Sequence, residues 1–318
     1  MKSCLLFLLL ISISINAQEN KNTLISPFLP EIISEFPNVR DISISYDENE
    51  VYFSVQSYFS ELSAIVIIKK ENNRWSKPKI VSFSGQFHDI EPFLSPNSLK
   101  LYFASNRPLN TSEVKTKDFD IWYVERKTLE SEWSEPVNLG APINTSGNEF
   151  YPSISSSNNL YFTSDGTVSK GKDDIYFSKF ENGKYSSPIS LDSTINTEGY
   201  EFNAFVSPDE SFIIFTGYSR KDGFGSGDLY ISYKDEDENW QMAKNMGATI
   251  NSDKMDYCPF VNLNSNTLYF TSKRNTTKAS FQTKMPLDKI LNEMYKSENG
   301  LSKLYKTTFK KTINNSQK

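Results

Sequence analysis

The sequence predicts an all-β protein, a five-bladed β-propeller with four-stranded antiparallel blades. Three observations lead to this prediction. One phrase recurs about five times at intervals of 50 to 60 residues, aromatic residues make up 14% of the chain, and Gly, Asn, Asp, Ser and Pro separate the short apolar runs. A period of this length is typical of an array of small sheets, and aromatic and β-branched residues favour strands.

Each copy of the phrase contains the signals of four short strands. In the second copy, Glu91-Pro-Phe-Leu-Ser-Pro-Asn is followed by the triplet Leu101-Tyr-Phe, by Asp120-Ile-Trp-Tyr-Val and by a segment that starts at Trp133. Four strands per repeat in a radial array form a propeller blade. A linear solenoid would need polar caps at both ends, and the sequence contains none. The copies begin at Asp41, Glu91, Tyr151, Asn203 and Cys258.

The spacing also predicts how the ring closes. The repeat predicts a single propeller domain over residues 18–310, and the last copy lacks a fourth segment, whereas Ile25-Ser-Pro-Phe-Leu-Pro-Glu-Ile-Ile33 resembles an unpaired one. We expect a strand at residues 24–34 to complete the last blade, which removes an exposed sheet edge. Six blades are the alternative. The predicted blades span residues 38–88, 89–148, 149–200, 201–255 and 256–310, with a flexible tail at 311–318.

One stretch departs from the repeat. Residues 286–296 begin with proline and place five apolar side chains at helical spacing, which predicts a short amphipathic helix inserted in the last blade. We expect it to pack against the rim of the propeller or to form a ridge for a partner. Its apolar residues are Leu287, Ile290, Leu291, Met294 and Tyr295.

The N-terminus predicts export. Lys2 precedes an apolar run from Leu5 to Ile15, and Ala17 is a suitable cleavage site, so residues 1–17 fit a signal peptide. The run is too short to cross a bilayer, and we expect no membrane span in the mature chain, which would be periplasmic or secreted. Its single cysteine, Cys258, allows no intrachain disulfide. With a whole-chain charge of −5, we expect no nucleic-acid partner and no contact with an anionic membrane surface.

The phrase resembles a known repeat. Glu91-Pro-Phe-Leu-Ser-Pro-Asn, with Ala104-Ser-Asn-Arg and Asp120-Ile-Trp, is similar to the WD40-like PD40 repeat of TolB-type β-propellers of the bacterial envelope. The tails that start at Asn138 and Ser193 resemble those of envelope proteins that join such a propeller to a peptidoglycan-binding domain. The resemblance covers roughly residues 38–310. It implies an envelope protein, a glycan or peptidoglycan as partner, and it implies no cofactor.

Acidic residues recur at one position of the repeat, three places before the proline of the phrase. One residue per blade at one level would form a ring near the mouth of the central channel. Such a ring could bind a cation or a polyhydroxylated ligand, or it could stabilise the blades by pairing with Arg107, Arg220 and Arg274. We name these residues the acidic set: Asp89, Glu149, Glu201 and Asp256.

Four further residues complete the candidate binding site at the channel mouth, namely Arg40, Asp41, His88 and Glu91. Because His88 is the only histidine, a serine hydrolase triad would have to recruit it, and metal sites rich in histidine are excluded. We assign no catalytic residue and no metal ligand. The sequence favours a non-catalytic binding module of the cell envelope. The alternative is a carbohydrate-active enzyme with paired carboxylates at the channel mouth.

Overall fold

A computed structural model describes residues 25–110, 115–166 and 169–311. Within them the chain folds as a five-bladed β-propeller, which confirms the predicted fold class. The predicted signal peptide lies outside the described residues, and so does the predicted tail beyond residue 311. The described chain begins with strand β1 (Ser26–Pro27) and a one-turn helix, α1 (Pro30–Ile33).

The next four blades follow one another along the chain, each running from an innermost to an outermost strand. Blade 1 contains β2 (Asn38–Ile44), β3 (Glu50–Gln56), β4 (Ser63–Glu71), the short β5 (Arg74–Trp75) and β6 (Lys79–Ile80). Blade 2 contains β7 (Asp89–Leu94), β8 (Lys100–Ser105), β9 (Asp120–Glu125) and β10 (Val137–Asn138). Blade 3 contains β11 (Glu149–Ile154), β12 (Leu160–Ser164), β13 (Asp174–Ser178), the hairpin β14 (Phe180–Glu181) with β15 (Lys184–Tyr185), and β16 (Ile189–Ser190). Blade 4 contains β17 (Tyr200–Val206), β18 (Phe212–Tyr218), β19 (Gly227–Tyr233) and β20 (Lys244–Asn245).

Blade 5 is assembled from both ends of the chain. It contains β21 (Asp256–Asn262), β22 (Thr267–Ser272) and β23 (Lys303–Thr308), and β1 pairs antiparallel with β23 as its fourth strand. The Phe28 amide also donates to the Leu304 carbonyl at 2.8 Å. The closing strand is shorter than the expected 24–34 because the chain enters α1 at Pro30, whose fixed φ suits the first turn of a helix.

The aromatic-apolar triplets form the core between the blades. All five lie in the second strand of a blade, and their side chains are at most 5% exposed. A strand buried on both faces needs a continuous apolar run rather than an alternating one. The triplets are residues 51–53, 101–103, 160–162, 213–215 and 268–270.

In blades 2, 3 and 4, an asparagine side chain extends the pairing of the two-residue outermost strand. In blade 2, Asn144 accepts from the Ile121 amide at 2.9 Å and donates to the Ile121 carbonyl at 3.0 Å. Asn196 makes the same two hydrogen bonds with the backbone of Ile175 in blade 3, and Asn251 makes the equivalent pair in blade 4. The recurring Ile-Asn of the repeat tails therefore satisfies backbone groups that would otherwise lack a strand partner.

The ring has two faces, which we define by the innermost strands β2, β7, β11, β17 and β21. They begin at the upper face and end at the lower face. Helix α2 (Leu287–Tyr295) lies in the connection from β22 to β23, at the upper face, where the sequence predicts it. Among the described residues, no helix is long and apolar enough to cross a bilayer.

Candidate functional site

Each innermost strand contains one residue with a left-handed backbone. These residues have φ between 46° and 60°, and beside each of them the pairing with the second strand shifts register, as in a β-bulge. A bulge re-aims a side chain, and left-handed residues other than glycine are uncommon and cluster at functional sites. We name the five residues the channel ring: Asp41, Glu91, Tyr151, Asn203 and Cys258.

Hydrogen bonds show that the channel ring converges on the axis of the propeller. The Cys258 thiol donates to Asp41 Oδ1 at 2.8 Å. Asn203 Nδ2 donates to Glu91 Oε1 at 3.2 Å, which joins blades 4 and 2 across the channel. The Tyr151 hydroxyl donates to the Pro259 carbonyl at 3.0 Å and joins blades 3 and 5. Since neither pair of blades is adjacent, these side chains fill the channel itself.

One arginine bridges the two carboxylates of the channel ring. Arg40 donates from Nε to Asp41 Oδ1 at 2.7 Å and from Nη2 to Glu91 Oε1 at 2.8 Å. Its guanidinium lies 5.3 Å from the ring centre of Tyr257. The Arg40 side chain keeps 19% of its exposure, whereas both carboxylates are almost fully buried. Arg40 is therefore the part of this network that faces solvent.

Burial controls the protonation of the network. It raises the pKa of Glu91 to about 7, against the lowering effect of Arg40. Burial and the nearby Asp41 carboxylate raise the pKa of the Cys258 thiol well above its ordinary value, so the thiol stays protonated. Asp41 Oδ2 is buried and has no hydrogen-bond partner within the described part of the chain. The ring thus holds an acid that titrates near neutral pH beside an unsatisfied carboxylate oxygen.

The Glu91 carboxylate also replaces a missing hydroxyl. At three blade junctions, the hydroxyl that follows the triplet accepts from the amide of the next channel-ring residue. Blade 2 has Ala104 at that position, and Glu91 Oε2 accepts from the Tyr151 amide instead, at 2.7 Å. Glu91 therefore ties blade 2 to blade 3. The hydroxyl ties are Ser54 to Glu91 at 3.0 Å, Thr163 to Asn203 at 3.0 Å and Thr271 to Asp41 at 3.3 Å.

An aromatic plug closes the channel below the ring. Phe93, Phe205 and Phe260 pack together with centroid distances of 6.4, 6.1 and 5.3 Å. Beneath them a cavity of about 410 Å³, lined mainly by apolar side chains at the ends of the innermost strands, opens at the lower face. The plug therefore separates a polar upper mouth from an apolar lower mouth.

Four side chains border the upper mouth, and all but the buried Gln56 are half-buried. We name them the rim row: Gln56, His88, Phe119 and Phe150. The Gln56 amide nitrogen lies 3.5 Å from His88 Nε2. The imidazole packs edge-on against Phe119 at 5.4 Å, and Phe119 lies 5.1 Å from Phe150. Burial and the Arg40 charge lower the pKa of His88, so its ring is neutral near pH 7.

The acidic set lies two residues before the channel ring, and the structure turns its side chains into the blades. Asp89 binds Arg107 Nη2 at 2.7 Å, and the other ion pairs join Glu201 to Arg220 at 2.9 Å and Asp256 to Arg274 at 3.2 Å. The four carboxylates are fully buried. The predicted pairing with the three arginines is confirmed. A ligand-binding role for the acidic set stays a prediction.

Glu149 is the member of the acidic set without an arginine. Gly166 occupies the place that arginine holds in blades 2 and 5. Glu149 accepts instead from the Thr145 hydroxyl at 2.6 Å and from the Thr145 amide at 3.2 Å. Burial without a compensating cation raises its pKa to about 7.

The structure thus separates the candidate residues of the sequence into groups. It brings Arg40, Asp41 and Glu91 together, places His88 on the rim row, and holds the acidic set inside the blades. Tyr151, Asn203 and Cys258 are site residues that the sequence did not predict. The signal was present, because each begins a copy of the phrase at a position where all five copies differ. In the described ranges, no cluster of three His, Cys, Asp or Glu residues could hold a metal ion.

The chain was compared with known proteins. No protein-family model and no curated protein matches it. It is similar to TolB from Acinetobacter baumannii at 14% identity and a TM-score of 0.48, over 75% of this chain and 49% of that one. It therefore spans about half the length of that protein. A putative TolB from Agrobacterium tumefaciens is similar at 13% identity and a TM-score of 0.47, over 74% of this chain and 69% of that one.

A solved structure described as a glycoside hydrolase is similar over more of the chain. It matches at 8% identity with a TM-score of 0.54, over 88% of this chain and 90% of that one. At such identities a likeness concerns the fold alone. It agrees with the architecture seen here: the chain is a β-propeller.

Proposed function

We propose that the chain is an exported, non-catalytic binding module that holds a protein or a glycan of the cell envelope at the upper mouth of its channel. The state of the carboxylates carries this proposal. Asp41 and Glu91 share Arg40, and the acidic set is engaged inside the blades. A glycosidase uses two carboxyl groups, about 5–10 Å apart, that reach the substrate. Buried and paired carboxylates suit recognition better than hydrolysis.

The groups around the mouth fit such a ligand. Arg40 offers a partly exposed cation, and the rim row offers two aromatic edges, a neutral imidazole and an amide. Hydroxyl groups and ring faces of a sugar match this combination, as do the polar and aromatic side chains of a protein. Export rests on the predicted signal peptide at residues 1–17, and it places the ligand in the periplasm or outside the cell.

A capture experiment tests the proposal. The tagged protein is immobilised and exposed to an extract of its own cell envelope, and the retained proteins and glycans are identified by mass spectrometry. We expect retention to fall in His88→Ala and Phe150→Ala. It should persist in Tyr46→Ser, whose tyrosine is 64% exposed at the lower face. Equal retention by all the variants would contradict binding at the upper mouth.

A carbohydrate-active enzyme is the second candidate, and one observation favours it. Glu91 has a pKa of about 7 and lies on the same arginine as Asp41, which keeps one unpartnered oxygen. A protonated acid beside a carboxylate is the pattern of a glycosidase. Incubation with a panel of glycans, followed by detection of new reducing ends, tests this. Release that disappears in Glu91→Gln and Asp41→Asn would replace binding by hydrolysis.

A further inference from the structure

The polar side of helix α2 is held within the insertion between β22 and β23. Glu293 accepts from the Lys278 amide at 3.0 Å and from Lys296 Nζ at 2.7 Å. At the base of the insertion, the Gly300 amide donates to the Arg274 carbonyl at 3.0 Å. A helix of a globular domain ordinarily buries its apolar side, and α2 has no buried residue.

The apolar side of α2 is therefore left facing solvent. At 100° per residue, Leu287, Leu291, Met294 and Tyr295 share one side of the helix. All four are exposed, and Leu287 keeps 71% of its surface. Lys289 and Asn292 lie on other sides, whereas Asp288, seven residues before Tyr295, borders the apolar side. Such segregation is typical of helices that rest in the interface of a lipid bilayer.

The neighbouring blade adds a second exposed apolar element at the same face. The connection between β3 and β4 is held by its own polar groups, since the Ser57 amide donates to the Leu62 carbonyl at 3.0 Å. Its side chains Tyr58, Phe59 and Leu62 are exposed, and Phe59 keeps 87% of its surface. Blades 1 and 5 pack side by side through β2 and β21. Exposed apolar side chains that do not pack into the core, when they lie together, indicate an interaction surface.

Charge selects the kind of surface that would cover these side chains. The insertion over residues 273–302 carries six basic and three acidic residues, and the 57–62 connection adds Glu61, so the two segments together have a net charge of +2 on a chain whose total is −5. Four of its lysines are exposed, namely Lys273, Lys278, Lys284 and Lys289. A basic segment beside an exposed apolar helix is attracted to anionic lipid headgroups. The negative charge of the whole chain led us to expect no contact with an anionic membrane surface, but that total does not show the local excess of positive charge.

We propose that α2 and the 57–62 connection form a docking surface for an anionic lipid bilayer. Leu287, Leu291, Phe59 and their neighbours enter the headgroup region while the lysines contact lipid phosphates. The 57–62 connection borders the rim row, since the Ser60 hydroxyl donates to Gln56 Oε1 at 3.4 Å, so the contact would bring the upper mouth towards the membrane.

Vesicle binding tests the proposal. The full protein is sedimented with vesicles of phosphatidylcholine alone and with vesicles that contain phosphatidylglycerol, at low and high salt. We expect binding to the anionic vesicles that weakens with salt, and a loss of about tenfold in the double variant Leu287→Gln, Leu291→Gln. Phe59→Ser should weaken binding less, and Tyr46→Ser at the lower face should leave it unchanged. Residues 1–17 are the same in every variant and cancel in the comparison.

A local probe separates docking from general adhesion. Tyr295→Trp should gain fluorescence quenching from brominated lipids relative to the four natural tryptophans, and Tyr46→Trp should not. Absence of binding by the unchanged protein would overturn the proposal. So would an equal loss in Tyr46→Ser, or equal quenching of the two probes. If the protein does not bind vesicles, the loss of retention expected for His88→Ala and Phe150→Ala in the capture experiment still stands, so the two proposals can fail separately.

Discussion

Two sets of residues, two positions apart in the same strands, behave in opposite ways. The acidic set has nearly the same chemistry in four blades, and each member is satisfied by the loops and second strand around it. The channel ring has five different side chains, and two of their hydrogen bonds cross the channel to blades that are not neighbours. Chemistry that recurs in every repeat builds the repeat. The copies differ at the channel ring, where the same left-handed backbone conformation occurs with a different side chain in each copy.

The largest expected effect comes from a substitution in the acidic set. Asp89→Ala leaves the Arg107 guanidinium buried without its anion and removes the acceptor of Ser105. We expect the free energy of unfolding to fall by about 3–5 kcal/mol, measured by urea denaturation. Asp253→Ala is the control, because the Asp253 side chain is 79% exposed in its pair with Lys254, and it should leave the free energy of unfolding almost unchanged. Equal losses would show that the acidic set does not stabilise the blades.

Within the acidic set, the effect of a substitution on stability should depend on pH differently for Glu149 and for Glu201. The folded-state pKa of Glu149, about 7, lies above the reference value of 4.5, so its stabilising contribution is complete below pH 4.5 and is lost as the pH rises to 7. Glu149→Gln should therefore raise the free energy of unfolding at pH 8 by roughly 2 kcal/mol relative to its effect at pH 4.5. Glu201→Gln should lower stability at pH 8, because Arg220 loses its anion. Urea denaturation at both pH values measures this, and the same sign for both variants would contradict it.

The hydroxyl ties between blades allow a smaller and closely matched comparison. Thr163→Val removes the acceptor of the Asn203 amide, and an unsatisfied buried amide costs about 1–2 kcal/mol. Thr216 occupies the same position one blade later, and its buried hydroxyl has no partner among the described residues. Thr216→Val should therefore be neutral or slightly stabilising in thermal unfolding. A cost at both positions would mean that packing, not the tie, determines the effect.

The smallest effect concerns the substitute tie. Ala104→Ser offers the Tyr151 amide a hydroxyl and frees Glu91 Oε2. Because the Tyr151 amide lowers the pKa of Glu91, its release should move the Glu91 titration to higher pH, which carboxyl NMR can follow. The change in stability should stay below about 1 kcal/mol. An unmoved titration would show that Glu91 keeps its bond to the amide.

The blades were predictable because their signals are local. A triplet such as Leu101-Tyr-Phe and an unpaired segment near Pro27 lie within a few residues of the structures they predict. The exact length of the closing strand depended on one residue, Pro30, which starts a helix where the pattern continued as a strand.

The site was only partly predictable because its contacts are remote. Asn203 and Glu91 are 112 residues apart in sequence, and Cys258 and Asp41 are 217 apart. No spacing rule joins such positions. The acidic set attracted attention because it recurs, and the channel ring escaped because its members differ. The bulge that re-aims them leaves no mark in the pattern of apolar residues.

The seam in blade 5 has a consequence for how the molecule can be cut. Since Ser26 lies opposite Lys306, a short peptide could join the two ends of the described chain. New ends could then be opened at the exposed Asn182-Gly183 turn of blade 3. Such a circular permutant would retain every blade. Its termini would lie in blade 3, away from helix α2 and from the closing strand β1. The helix or the channel mouth could then be labelled or immobilised without strain on that strand.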